Sequence, residues 1–328
     1  MKTAFSIDMK IPSGIIVPTF TLFDENGIDF EANDWLIRHI IKNGADGLFT
    51  LGSTGSGPYF MDHLDDCRKL VEQTFQHAQK NKIATLVGVY GENPQEIIEN
   101  AKYIENLDES IFLVIPPPLQ NHLPQETQLN FFERVCEGLT NPVILYNNPV
   151  RFAQTNLDPE LCTQLKKFDN FRGLKDSSAE FETKLAYLEH LDERCSISCG
   201  KEGMIGKFFC AIEKDARKYA GCIPSISNVI NLFQNLWKKA LQGDDEKVMA
   251  LQNEINSFRN KIYHSEIGKG KAQRGGKVAL RYTYEQQENR DRNIPIKVAP
   301  DLEQPMPLEI EKRIIETVTW CLNQGYIS

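Results

Sequence analysis

The chain has 328 residues, 41% hydrophobic and 25% charged, with a formal charge of −8. That is enough apolar material for one large α/β domain or two smaller ones, and it excludes a disordered chain. The acidic excess also excludes general affinity for nucleic acid or anionic membranes, which reward basic faces, so any anion is bound locally. No stretch approaches the 18 or so apolar residues of a membrane span. The opening MKTAFSIDMKIPSG lacks the apolar run of a signal peptide, so a soluble, cytoplasmic protein is expected. The eight cysteines (67, 136, 162, 195, 199, 210, 222 and 321) lie mostly inside apolar segments and read as reduced core residues. Cys195 and Cys199 lack the ligand spacing of a zinc site, and no metal is expected.

Eight short apolar runs recur along the chain: GIIVPTF (14–20), GLFTLGS (47–53), IATLVGVY (83–90), SIFLVIPP (110–117), PVILYNN (142–148), FRGLKD (171–176), CSISCG (195–200) and YAGCIPS (219–225). Rich in β-branched and aromatic residues and closed by turn formers, they read as buried strands. Helical periodicity fills the gaps, as in EANDWLIRHIIKNG (31–44), DHLDDCRKLVEQTFQHAQK (62–80) and NPQEIIENAKYIENL (93–107). Asn93, Pro94 and Glu96 stand where an N-cap, an N1 proline and an N3 acid belong, and Leu157-Asp158-Pro159-Glu160 opens a fifth helix similarly. Strand then helix, eight times, predicts a (β/α)8 TIM barrel over residues 1–242. A doubly wound sheet is disfavoured because no GxGxxG turn follows the first strand. Residues 243–328 read as a C-terminal helical extension, with the basic, glycine-rich GKGKAQRGGK (268–277) as a solvated surface loop.

In such barrels the strands' C-terminal ends carry the chemistry. The second run closes with Gly52-Ser53-Thr54-Gly55, whose hydroxyls and backbone donors suit a small carboxylate. The fifth closes with Tyr146-Asn147-Asn148, and the adjacent sixth with Lys175. A strand-end lysine either snorkels to water or pairs with Asp176, or is held neutral as a nucleophile. A phenol beside a neutral amine and an anion pocket is what a Schiff-base enzyme acting on a 2-oxo acid needs.

Four motifs, GSTG (52–55), VYGENPQEIIENA (89–101), YNNP (146–149) and GLKDSS (173–178), resemble those of the dihydrodipicolinate synthase and N-acetylneuraminate lyase family of pyruvate-type class I aldolases. GKEG (200–203) and SISNV (225–229) are weaker echoes. The resemblance implies a barrel with a C-terminal helical region, a homotetramer assembled as a dimer of dimers, and no metal or organic cofactor beyond the covalent imine on Lys175. It makes Lys175 the Schiff-base lysine and Tyr146 the proton-relaying tyrosine. It makes Ser53 and Thr54, with Gly52, the carboxylate pocket, and it places Gly200 and Ile226 in loops that approach the second substrate.

Two departures bear on substrate. Family synthases carry an aromatic after the fourth strand that completes a proton relay in the neighbouring subunit, whereas this chain reads Pro116-Pro117-Pro118-Leu119-Gln120. Ser56 replaces the usual glutamate after the GSTG turn. Arg151, by contrast, matches the synthase arginine for a second carboxylate. The leading expectation is therefore a lyase or aldolase joining or cleaving pyruvate and an aldehyde. The alternatives are 4-hydroxy-tetrahydrodipicolinate synthesis, a deoxy-oxo sugar acid dehydratase using the same iminium, and a non-catalytic 2-oxo-acid-binding paralogue.

Overall fold

The computed structural model describes residues 11–24, 27–58, 64–288 and 306–327. Most of the opening segment, the first two residues of the expected second helix and the connection at 289–305 lie outside them. Strand β1 (Gly14–Pro18) precedes two short antiparallel strands, β2 (Phe23–Asp24) and β3 (Gly27–Ile28). Seven more follow: β4 (Gly47–Thr50), β5 (Ala84–Gly88), β6 (Phe112–Ile115), β7 (Val143–Asn147), β8 (Phe171–Asp176), β9 (Ser196–Cys199) and β10 (Ala220–Cys222). All of these except β2 and β3 pair in parallel, and β1 closes onto β10 to complete an eight-stranded barrel. The eight apolar runs are its eight staves, buried on both faces as parallel strands must be.

Helices α1 (Phe30–Lys42), α2 (Leu64–Asn81), α3 (Pro94–Glu105), α4 (Gln125–Gly138), α5 (Glu160–Leu165), α6 (Phe181–Leu188), α7 (Ile205–Cys210) and α8 (Leu232–Gln242) surround it. The third helix begins as its sequence predicts, because Asn93 accepts from the Glu96 N–H at 3.1 Å and Glu96 accepts from the Glu92 N–H at 2.8 Å. At α5, the Asp158 carboxylate accepts from the Glu160 N–H at 3.0 Å.

The tail adds α9 (Asp245–Ile262), α10 (Lys271–Glu288) and α11 (Leu308–Asn323), whose apolar faces share one hydrophobic core with the barrel's outer layer. Here one expectation fails. GKGKAQRGGK is a solvated turn only over residues 268–270: from Lys271 onward it forms the first seven residues of α10, with Gln273, Arg274 and Lys277 buried. A Cβ at Gly275 would stand 2.0 Å from the Ile262 carbonyl, and one at Gly276 would stand 2.6 Å from the Phe20 ring. The glycines are there for close packing. Burial pushes the Lys277 ammonium down to about 7, and its Nζ lies 4.6 Å from the centre of the Phe23 ring.

Candidate active site

Strand register decides what Lys175 is. On a strand, successive side chains point to opposite faces, so Lys175 and Asp176 cannot both face the barrel interior. Asp176 points outward, where it pairs with Lys184 of α6 and accepts from Asn147 Nδ2 at 2.8 Å, Ser178 Oγ at 2.8 Å and the Ser178 N–H at 3.1 Å. Its charge is thus satisfied by Lys184, and Lys175 is left to the interior.

There Lys175 is 5% exposed and stands directly across from Tyr146 in the β7–β8 register. Its Nζ lies 3.8 Å from the centre of the Tyr146 ring and 4.8 Å from that of Phe49. Desolvation drives the lysine pKa down, with Tyr146 and Asp176 only partly opposing it. Burial works against ionising Tyr146, but the Lys175 charge, then hydrogen bonds from Ser53 and Asn148, outweigh it and bring the phenol down to about 8. An amine that sheds its proton early beside a phenol that ionises early can exchange a proton near neutrality.

The turn after β4 faces this pair. Ser53 Oγ lies 3.4 Å from Tyr146 Oη, and Asn148 Nδ2 donates to the same oxygen at 3.1 Å. Thr54 Oγ1 instead meets Ser225 Oγ at 2.9 Å, which joins the turn to the loop after β10. Gly52 sits where a Cβ would strike the Phe49 ring at 2.7 Å. Gly200 adjoins the nucleophile, since a Cβ there would stand 3.1 Å from Lys175 Cε and 2.1 Å from Ser177 Oγ. Arg151 is exposed on the loop after β7, close enough that its charge acts on Tyr90. Ile226 is apart from these: its side chain is fully buried in the outer core, and its N–H donates to Glu202 Oε1 at 2.7 Å. The residue from that loop that does pack with Tyr146, Phe49 and Phe152 is Ile223.

Several groups here were not singled out from sequence. Tyr90 closes the third run and packs in the same interior cluster as Tyr146. Inspecting the residue that ends each run, as was done for Lys175, would have found it. Glu202, in the loop after β9, accepts from Ile226 N–H and pairs with Arg259 of α9 at 3.2 Å, which ties the extension to the barrel mouth. Gln273 of α10 donates to the Ser53 carbonyl at 3.3 Å. In the loop that lacks a phenol, the Glu92 carboxylate holds the N–H groups of Leu119 and Gln120 at 3.0 and 3.1 Å, and Leu119 packs against the interior cluster. Among the described residues no group of three His, Cys, Asp or Glu could hold a metal ion.

The model of the dihydrodipicolinate synthetase family matches residues 11–271. This chain belongs to that family. Among its curated relatives, 4-hydroxy-tetrahydrodipicolinate synthase from Agrobacterium fabrum is 28% identical over 255 residues, covering 76% of this chain and 82% of the relative. 4-Hydroxy-tetrahydrodipicolinate synthase 2 from Clostridium acetobutylicum is 27% identical over 194 residues, or 59% of this chain and 66% of that protein, so the chain spans slightly under two thirds of it. The fold is shared with solved family structures. The E. coli K12 prophage protein YagE, of the dihydrodipicolinic acid synthase family and solved with pyruvate, superposes with a TM-score of 0.77 at 21% identity, covering 96% of this chain and 99% of that one. 2-Keto 3-deoxygluconate aldolase from Picrophilus torridus gives 0.70 at 21% identity, covering 84% and 93%. A barrel of the synthase family and an aldolase barrel therefore share one frame with this chain.

Proposed function

We propose that the protein is a class I lyase of the dihydrodipicolinate synthase family that joins or cleaves pyruvate and an aldehyde through a Schiff base on Lys175. The observation that carries this reading is the buried Lys175 amine, its pKa depressed by desolvation and its Nζ 3.8 Å from the centre of the Tyr146 ring at the C-terminal mouth of the barrel. The neutral amine attacks the ketone carbon, water leaves, and the iminium becomes an electron sink. A base then takes the C3 proton, the C–H pair moves into the C2–C3 bond, and the C=N pair moves onto nitrogen to give the enamine that adds to the aldehyde. Tyr146 is the group placed to exchange those protons. Ser53, Thr54 and the Gly52 turn hold the carboxylate, Arg151 takes a second anionic group, and Gly200 leaves room for the lysine arm. Ile226 supports the loop rather than touching substrate. The route uses no metal and no organic cofactor, because the imine itself supplies the electron sink. A cytoplasmic homotetramer belongs to the same proposal.

4-Hydroxy-tetrahydrodipicolinate synthesis is the second reading, favoured by Arg151 and by the names of the curated relatives. Against it stands Leu119 in the loop where family synthases carry an aromatic. A deoxy-oxo sugar acid dehydratase would use the same iminium and lose the C4 hydroxyl instead. Product formation from pyruvate with aspartate semialdehyde, measured beside a panel of hydroxy-aldehydes, separates these readings. Turnover confined to the semialdehyde supports the synthase, turnover of hydroxy-aldehydes supports the lyase, and substrate binding without turnover of any partner supports a non-catalytic paralogue.

A further inference from the structure

Glu202, in the loop after β9, divides its two carboxylate oxygens between two elements. Oε1 accepts from the Ile226 N–H at 2.7 Å in the loop after β10, and Oε2 meets Arg259 Nε of α9 at 3.2 Å. Helix α9 also holds the Glu202 backbone, since Gln252 Nε2 donates to the Glu202 carbonyl at 3.0 Å while Gln252 Oε1 accepts from the Gly206 N–H at 2.7 Å. Gly206 permits that approach, because a Cβ there would stand 2.9 Å from Gln252 Cβ. Backbone and side chain of this glutamate are thus both set from the helical extension.

What Glu202 holds in turn reaches the proposed carboxylate pocket. Ser225 and Ile226 open the short helical turn Ser225–Asn228, closed by Asn228 Nδ2 donating to the Ser225 carbonyl at 2.8 Å, so a fixed Ile226 N–H fixes Ser225. Ser225 Oγ lies 2.9 Å from Thr54 Oγ1. A carboxylate only accepts, so a Thr54 hydroxyl that holds one donates to it, and its oxygen is then open to the Ser225 hydroxyl proton. Linked hydrogen bonds polarise one another, so a donor behind Thr54 strengthens its hold on an anion. The other anchors of this turn act on its carbonyls, with Gln273 Nε2 donating to Ser53 at 3.3 Å and Thr21 Oγ1 to Gly55 at 2.7 Å. Ser225 reaches the Thr54 hydroxyl itself.

We propose that Glu202 is a positioning residue that couples helix α9 to the carboxylate pocket. By holding the Ile226 N–H it places Ser225 as the hydroxyl donor behind Thr54, and so sets the affinity for the 2-oxo acid without taking part in the imine chemistry. The proposal rests on the reading of Ser53 and Thr54 as that pocket. Affinity and rate are then governed from different parts of the chain, the first from the helical extension and the second from the β7–β8 edge.

The direct test is the rate at which cyanoborohydride traps pyruvate on the full chain, followed by intact mass against pyruvate concentration. Glu202→Ala raises the half-saturating concentration by about tenfold, the scale of one weakened hydrogen bond to a charged group. The limiting rate at saturation stays within about twofold of wild type, because binding is lost and chemistry is not. Glu202→Gln keeps an acceptor for the Ile226 N–H and gives up Arg259, so it raises the concentration less, as does Arg259→Ala. In a Ser225→Ala background, Glu202→Ala has no further effect. An unchanged half-saturating concentration in Glu202→Ala, or in Glu202→Gln and Arg259→Ala if the first variant does not fold, overturns the proposal. So does a limiting rate that falls as far as the affinity, or an effect of Glu202→Ala that persists without Ser225, since either marks a merely structural glutamate. If no 2-oxo acid labels the wild type, the lyase reading falls, and the coupling is read from urea midpoints instead. Glu202→Ala and Thr54→Val together then shift the midpoint by less than the sum of their separate shifts, and strictly additive shifts overturn the coupling.

Discussion

The two ion pairs that flank the site mark two ways of building it. Lys184 and Asp176 are 1% and 2% exposed and lie under the β7–β8 edge, whereas Arg259 and Glu202 are 30% and 11% exposed and join the helical extension to the loops at the mouth. The first pair settles a question of local register: it takes Asp176 out of the interior and leaves Lys175 as the lysine facing the pocket. The second is a tether between distant parts of the chain, 57 positions of sequence apart by subtraction of 202 from 259. Chemistry is thus set by the neighbouring strands, while the roof above it is set by long-range packing. Substitutions in the two regions should fail differently.

The largest effect belongs to the strand edge. Lys175→Ala should lower turnover by several orders of magnitude while the protein stays folded, because the nucleophile is removed and the Asp176 pair is untouched. Turnover within tenfold of wild type would break the assignment.

The pH dependence of imine formation comes next. Burial lowers the Lys175 pKa, so the neutral amine appears at lower pH than for an ordinary lysine, and the rate of pyruvate trapping rises with pH through that range. It falls again once Tyr146 ionises, because the phenol then has no proton to give to departing water. Each limb carries about a tenfold change per pH unit. A trapping rate that rises without a break to the ordinary lysine range would contradict the buried-amine account.

Lys184→Ala should cost about 3–5 kcal/mol in urea denaturation, since it strands a buried carboxylate. Gly276→Ala should cost about 1–3 kcal/mol by driving a Cβ into the Phe20 ring, and a gain of stability there would mean that α10 does not seat as described. Arg259→Ala, at the partly exposed tether, should cost about 1 kcal/mol or less. If Arg259→Ala proved more damaging than Lys184→Ala, the contrast between the two regions would be inverted.

The same contrast explains what could be read from the sequence. The barrel was legible because continuous apolar runs, regularly spaced and separated by helical periodicity, admit few other topologies. Lys175 and Tyr146 were legible because each closes a run, and closing residues stand at the mouth. Lys184 as the partner of Asp176 was not, because the choice between Lys175 and Lys184 depends on which face each side chain occupies and on where α6 returns. The 271–277 part of the basic stretch was misread because Gly275 and Gly276, which in isolation signal a loop, are required by the approach of the Ile262 carbonyl and Phe20 from elsewhere in the chain. Ile226 was placed near substrate by its motif, and the Glu202 carboxylate that occupies its N–H comes from a different loop. Tyr90 was open to the same rule that found Lys175, but its hydrogen bond to the Leu51 carbonyl depends on the left-handed backbone of Leu51, which no local pattern announces.

The most direct test of the central claim is borohydride reduction in the presence of pyruvate, followed by intact-mass and peptide-level mass spectrometry. The account predicts one reduced pyruvyl adduct per chain, carried by Lys175, with Lys184 unlabelled. If pyruvate and a panel of longer 2-oxo acids left Lys175 unmodified, the amine would be a structural group at a strand end, and the lyase assignment would be contradicted.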